Sequence, residues 1–176
     1  MLWDDAKFEL VQDHLETHWI FMQFRHKASR NLVSLFNIYV PVNFTKNKQC
    51  WDSVCALANE ICLENIILVG DLNLTLSLNE KSGGSRVRDS AREWVEDLIH
   101  EWDLMDVKLV KDLLTWTNRR TRLGHIVASL DRFLVQRSFL RQGLEASSSI
   151  LPMGISYHRT INLELKEALN LGPILF

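Results

Sequence analysis

The run Asn65-Ile66-Ile67-Leu68-Val69-Gly70 is short, apolar beyond its first residue, and stops abruptly at Asp71-Leu72-Asn73. Successive strand side chains point to opposite faces, so a strand with apolar residues at every position is buried on both. It needs a layer above and a layer below, and the flanking segments can supply them. His18 to Arg25 and Asn31 to Pro41 are rich in Ile, Val, Phe and Tyr, and the polar Lys27-Ala28-Ser29-Arg30 between them predicts a hairpin. Over residues 44–64 the period changes. Trp51, Val54, Cys55, Ala58, Ile61 and Cys62 form the buried stripe of an amphipathic helix. A second helix is predicted around Ala91, Trp94, Val95, Leu98 and Trp102, opened by a capping box of Ser90 with Glu93. Then come a short strand (Leu114 to Thr117), a basic turn, a longer strand (Ile126 to Val135), a helical turn, and a strand pair near 144–151 and 160–165. Strands interleaved with helices predict a mixed α/β fold in one domain over residues 1–176, with no internal repeat.

Composition narrows the function classes. With 47% hydrophobic residues in 176, the chain can bury a core and is not a disordered polyelectrolyte. A net charge of -2 does not by itself advertise a nucleic-acid partner. Cys50, Cys55 and Cys62 are odd in number and lie on one predicted helix, with no CxxC pair and no histidine at zinc-ligand spacing. They read as reduced thiols without a disulfide partner, as in a nuclear or cytoplasmic protein. The opening Met-Leu-Trp-Asp-Asp is acidic where a signal peptide is basic, and no apolar run approaches the ~18 residues of a membrane span. Nothing in the sequence sets an oligomeric state.

Several residues could carry chemistry. Asp71 and Asn73 stand at the carboxyl end of the buried strand, where open α/β sheets gather ligands. A carboxylate there can hold a hard cation or activate water, although Asp and Asn are equally good turn residues and, taken alone, read more simply so. Asp131 interrupts the apolar Leu130 to Val135 and needs a partner: Arg132, a metal or a histidine. An outward-facing Asp131 paired with an arginine fits as well as a site role. His158 follows Ser156-Tyr157 in a polar loop and is a proton-transfer group if it has a partner, a solvated histidine if not. Tyr39 ends an apolar strand, where its hydroxyl could meet phosphate or its ring simply pack. Residues 115–143 hold six arginines against one acid, Asp131. Arg119, Arg120 and Arg122, with Trp116 just before them, are candidate nucleic-acid contacts; a solubilising turn accounts for the arginines equally well.

Five motifs occur in order: Asn37-Ile38-Tyr39-Val40-Pro41, Val69-Gly70-Asp71-Leu72-Asn73, Thr115-Trp116-Thr117-Asn118, Ser129-Leu130-Asp131-Arg132-Phe133-Leu134 and Ser156-Tyr157-His158. The series resembles the endonuclease/exonuclease/phosphatase superfamily, and within it the apurinic/apyrimidinic-type endonuclease domain of plant LINE-type (non-LTR) retrotransposons. The Met1 to Asp5 start and the closing Leu171 to Phe176 are also similar to that domain, so the resemblance spans essentially the whole chain. It implies a two-sheet α/β sandwich of the DNase I-like type and Mg²⁺- or Mn²⁺-dependent hydrolysis of a phosphodiester, usually nicking DNA. By resemblance, Asp71 orients or deprotonates the attacking water, Asn73 aligns water and phosphate, Tyr39 contacts the phosphate, and His158 stabilises the phosphorane with Asp131 orienting it.

Two departures bear on activity. The family's opening strands supply an Asn and the principal metal-ligand Glu, and Met1 stands beyond both; the expectation is a partial domain with one short sheet and an incomplete metal site centred on Asp71. The family also has Asp-His before its last strand, where this chain has Tyr157-His158, and Thr160 stands where Pro is usual. The resemblance therefore points to an N-terminally truncated, impaired copy of a nicking enzyme. The alternative is an inert nucleic-acid-binding remnant using the Arg119–Arg122 turn. A flavodoxin-like binding domain ranks last, because no Gly-rich loop follows the first strand.

Overall fold

The computed structural model describes residues 3–84, 89, 91–109, 114–151 and 155–167. The strands are β1 (Phe8–Leu15), β2 (Trp19–His26), β3 (Leu32–Tyr39), β4 (Ile66–Asp71), β5 (Lys81–Ser82), β6 (Leu104–Asp106), β7 (Trp116–Thr117), β8 (Val127–Ala128), β9 (Asp131–Gln136), β10 (Leu144–Ile150) and β11 (Ile161–Glu167). The helices are α1 (Phe44–Glu60), α2 (Arg92–Glu101) and the single turn α3 (Ser138–Arg141). One six-stranded sheet runs β1-β2-β3-β4-β9-β6, beside a pair β10-β11 and a small sheet β5-β8-β7. Among the described residues, only β3 and β4 pair parallel in the large sheet, with α1 as their crossover.

The expected central strand is β4, and its apolar residues divide as the alternation requires. Ile66 and Leu68 join Phe36, Ile38 and Leu134 in a core with Cys50, Trp51 and Val54 of α1 and Val95 and Leu98 of α2. Ile67 and Val69 face the other way, toward Phe133, Val135 and the apolar residues of β10 and β11. Helices cover one face of the sheet and the β10-β11 pair covers the other. Leu68, Leu134 and Phe36 are fully buried, and each such side chain contributes about 1.5–3 kcal/mol. Helix α1 starts where Asn43 Oδ1 accepts the Lys46 amide at 3.1 Å, a cap that satisfies one donor of the first turn.

The hairpin, α1, α2, the helical turn and the last strand pair stand where the sequence predicts them. Ser90 of the expected capping box lies outside the described residues, and α2 is preceded by Ala91. The long strand expected from Ile126 to Val135 is two strands in different sheets, β8 and β9. Between them the backbone leaves the ladder. Ser129 N–H donates to the Glu80 carbonyl, and the Leu130 and Asp131 amides donate to Thr115 Oγ1. Strand β1 was not foreseen. It is an edge strand, mostly exposed, with a bulge between Leu10 and Gln12 that breaks its alternation. Among the described residues no helix is long and apolar enough to cross a membrane, and all three cysteines are free.

Candidate active site

Strand register builds the site. Tyr39 in β3 is the partner of Asp71 in β4, and Asp71 is the partner of Asp131 in β9. Alternation from Val33, Val69 and Phe133 places all three on the sheet face that meets β10-β11. Gly70 makes this alignment possible. Its φ is +141°, and a Cβ there would stand 1.9 Å from the Ile38 carbonyl oxygen, so only glycine lets β4 approach β3 this closely. Beyond Asp71 the chain is tied down on both sides: Val40 N–H donates to the Asp71 carbonyl and Leu72 N–H to the Leu130 carbonyl.

Asp71 is nearly buried. Burial raises its pKa above the ordinary carboxylate value; the Asn73 amide pulls it back, Asp131 pushes it up again, and His158 lowers it. Asp71 Oδ1 accepts the Asn73 backbone N–H at 2.9 Å. Asn73 sits in the left-handed region, φ +49°, and its Nδ2 donates to the Val40 carbonyl at 2.7 Å. Its observed contacts therefore steady Asp71 and the loop around it.

His158 arrives from the loop before β11 and closes the cluster. Its Nδ1 lies 3.0 and 3.2 Å from the two Asp131 oxygens, and its Nε2 lies 3.7 Å from Asp71 Oδ2. An ionised carboxylate only accepts, so Nδ1 carries a proton and Nε2 is turned toward Asp71. The partner required for Asp131 is thus the histidine and not Arg132. Arg132 points to the opposite face, where its guanidinium meets Glu80, Asp106 and the Ser129 and Leu74 carbonyls.

Thr115 also belongs to the arrangement, although the sequence does not mark it as a site residue. Thr115 is fully buried. Its Oγ1 accepts the amides of Leu130 and Asp131, both at 3.0 Å, and its carbonyl accepts Arg159 N–H at 2.7 Å. Thr117 N–H donates to the Tyr157 carbonyl, and Trp116 bridges His158. The 115–117 segment therefore fastens the Asp131 backbone to the His158 loop. Its only signal in the sequence is its place in the motif series.

The remaining candidates form the rim. Tyr39 is exposed. Trp116 is half-buried in β7, in the small sheet. Arg119, Arg120 and Arg122 are exposed on a turn closed by Asn118, whose Oδ1 accepts the Arg120 and Ile126 amides and whose Nδ2 donates to the Gly124 carbonyl. The Arg119 guanidinium lies 5.2 Å from the Tyr157 ring centroid and donates to the Ser156 carbonyl.

Asp71, Asp131 and His158 are the described residues grouped closely enough to hold a metal, their ligand atoms lying within 4.8 Å of one another. The fit to a divalent cation is sparse. Asp131 is engaged by His158 and one Asp71 oxygen by Asn73, which leaves Asp71 Oδ2 as the oxygen turned into the cluster. Mg²⁺ keeps several waters and needs few protein oxygens, so these residues offer at most a weak site for such an ion.

No family model matches the chain, and no curated protein matches it. Solved structures do. The endonuclease domain of TRAS1, a telomere-specific non-LTR retrotransposon, aligns with a TM-score of 0.73 at 11% identity, over 94% of this chain and 71% of that one. An endonuclease/exonuclease/phosphatase from Bacteroides vulgatus aligns at 0.61 and 13% identity, over 94% and 68%. The AP endonuclease LMAP from Leishmania major aligns at 0.58 and 14% identity, over 86% and 55%. The fold is the DNase I-like fold of endonuclease/exonuclease/phosphatase proteins.

Proposed function

We propose that this chain is a divalent-metal-dependent phosphodiesterase of the nuclease type, a weakened copy of a retrotransposon endonuclease that nicks DNA. The observation that carries the proposal is the ordered trio Asp71, His158 and Asp131, with the two carboxylates register partners on one sheet face. The similarity of the fold to a retrotransposon endonuclease and an AP endonuclease supports it.

The residues divide the work as follows. Asp71, whose basicity burial raises, takes the proton of the attacking water at Oδ2, while the Asn73 amide holds Oδ1 in place. His158, with Nδ1–H fixed by Asp131, acts in its doubly protonated form and donates Nε2–H to charge developing on the phosphate. Tyr39 contacts a phosphate oxygen, and Arg119, Arg120 and Arg122 hold the strand by its backbone, with Trp116 behind them. A divalent cation bound with the substrate, Mg²⁺ or Mn²⁺, would supply Lewis-acid polarisation of the phosphoryl group. The few oxygens offered to it are the reason the copy is read as weakened.

The test is nicking of supercoiled plasmid by the purified chain with Mg²⁺ or Mn²⁺. The expected result is slow nicking that is lost in Asp71→Ala and in His158→Ala. Absence of nicking at every cation concentration would defeat the enzymatic reading. A second reading, an inert nucleic-acid binder, is favoured by Tyr157 standing beside Arg119 where the resemblance expects an acid. It predicts salt-dependent DNA binding without cleavage, weakened in Arg119→Ala and Arg120→Ala.

A further inference from the structure

The chain has two tyrosines, and both stand at the rim of the site, 58% and 55% exposed. Tyr39 reaches it by register with Asp71; Tyr157 is the immediate neighbour of His158. Tyr157 is the unexpected one. One side of its ring is backed by the Arg119 guanidinium at 5.2 Å, and more than half of the residue is still open. The segment that carries it is held by three hydrogen bonds. Thr117 N–H donates to the Tyr157 carbonyl, Arg119 donates to the Ser156 carbonyl, and His158 N–H donates to Ser156 Oγ.

We propose that Tyr157, backed by Arg119, is a stacking seat for an unpaired nucleobase beside the phosphate that His158 addresses. The proposal rests on the nuclease reading for the identity of that phosphate and adds to it the kind of strand the site prefers. A flat, open ring held in place loses little freedom when a base stacks on it, so the contact retains most of its strength. The Arg119 guanidinium behind the ring adds a cation–π contact that keeps the ring in place. A base inside a duplex has both faces covered by its neighbours and offers only its edges and its backbone. The seat can therefore be filled only by a base that has left the stack, as in a single strand, a frayed end or a flap. Stacking is indifferent to base identity, so the preference is for strandedness and not for sequence.

The experiment is fluorescence anisotropy with the full chain in EDTA, where no cleavage can occur. The probes are a labelled oligothymidylate of about ten nucleotides and a duplex of equal length. Tyr157→Ala is expected to weaken oligothymidylate binding about 5- to 100-fold while duplex binding stays within about twofold. Tyr157→Phe keeps the ring and is expected to bind as the unaltered chain does. Tyr157 is exposed, and a thermal melt of each variant verifies that it folds. The proposal is overturned if Tyr157→Ala leaves oligothymidylate binding unchanged, if it weakens both probes equally, if Tyr157→Phe is as weak as Tyr157→Ala, or if the unaltered chain does not bind oligothymidylate. A chain that nicks plasmid yet binds oligothymidylate independently of Tyr157 retains the nuclease reading and loses the seat. A chain that binds through Tyr157 and never cuts does the reverse.

Discussion

Arg132 is 2% exposed in its side chain, and its charge is balanced by Glu80 and Asp106. Lys108 adds bonds to both acids, at 2.8 and 2.6 Å, and Glu80 Oε2 also accepts the Leu76 amide at 2.7 Å. Burial pushes the Glu80 carboxyl up, but the hydrogen bonds and charges of Arg132 and Lys108 outweigh it and hold its pKa at about 2, against an ordinary 4.5. A depressed folded pKa means that the stabilisation is present above the ordinary value and is lost as pH falls from about 4.5 toward 2. At 1.36 kcal/mol per unit, that difference is worth about 3 kcal/mol, a large part of the 5–15 kcal/mol by which domains are ordinarily stable. Whole-chain acid sensitivity will not isolate the effect, because Asp71 works in the opposite direction: its raised pKa makes its ionised form costly, and acid relieves that cost. The difference between the unaltered chain and Glu80→Gln removes Asp71 from the comparison. Urea unfolding at pH 7, 5.5, 4 and 3 should show a gap of about 3 kcal/mol at neutral pH that closes progressively below pH 4.5. A gap of the same size at pH 3 and pH 7 would show that the Glu80 charge is not what holds Arg132, and the reasoning would fail.

Thr115→Val removes the acceptor for the Leu130 and Asp131 amides; a loss of about 2–4 kcal/mol in urea unfolding is expected, with most of it restored in Thr115→Ser. Where nicking is measurable, the same valine change should lower kcat more than it raises KM, because it loosens the Asp131 that orients His158. Asp71→Asn should abolish nicking and raise the melting temperature at pH 7, since it removes a charge that burial penalises; the gain should shrink in acid. Gly70→Ala should yield no cooperatively melting protein, because its Cβ would meet the Ile38 carbonyl between two paired strands.

How far the sequence could be read follows from which features are local. The run Ile66 to Val69 and the stripe Trp51, Val54 of α1 state their burial through periodicity, and both lie where that period predicts. Strand β1 could not be read in this way: as an exposed edge its pairing needs no apolar pattern, and its bulge breaks the alternation that exists. The split of the Ile126 to Val135 stretch was equally hidden. Residues on both sides of it are apolar and strand-like, and the switch between sheets is made by Thr115 and Glu80, distant in the chain. Asp131 shows the same limit in the site. Its need for a partner was legible from the cost of an acid among apolar neighbours, but the residues alone left His158 and the adjacent Arg132 both open, and only the family resemblance favoured His158. That choice is settled by strand alternation, which sends Arg132 to the helix-covered face and Asp131 to the other.

The two faces of β9 therefore carry opposite solutions to a buried charge. On one, Arg132 meets two acids and two carbonyls, and Lys108 shares the same two acids, so two positive and two negative charges balance on the spot. On the other, Asp71 and Asp131 stand directly opposite one another as register partners, and His158 is the group between them. Two carboxylates in register repel, and their repulsion contributes to the raised pKa of Asp71. A fold that wanted only stability would do better with an uncharged residue at position 71, as Asp71→Asn is expected to show. Arg132 is one residue from Asp131 on the same strand and is bonded on the far face, so its contacts would resist a shift of β9 under that repulsion. Under this reading Glu80 is more than a stabilising residue. Weakening its bond to Arg132 should let Asp131 drift from His158, so Glu80→Gln should raise the hydrogen-exchange rate of the Asp131 amide more than that of Leu68 in neighbouring β4. Equal rises at both positions would mean global loosening and would remove the link between the buried clamp and the site.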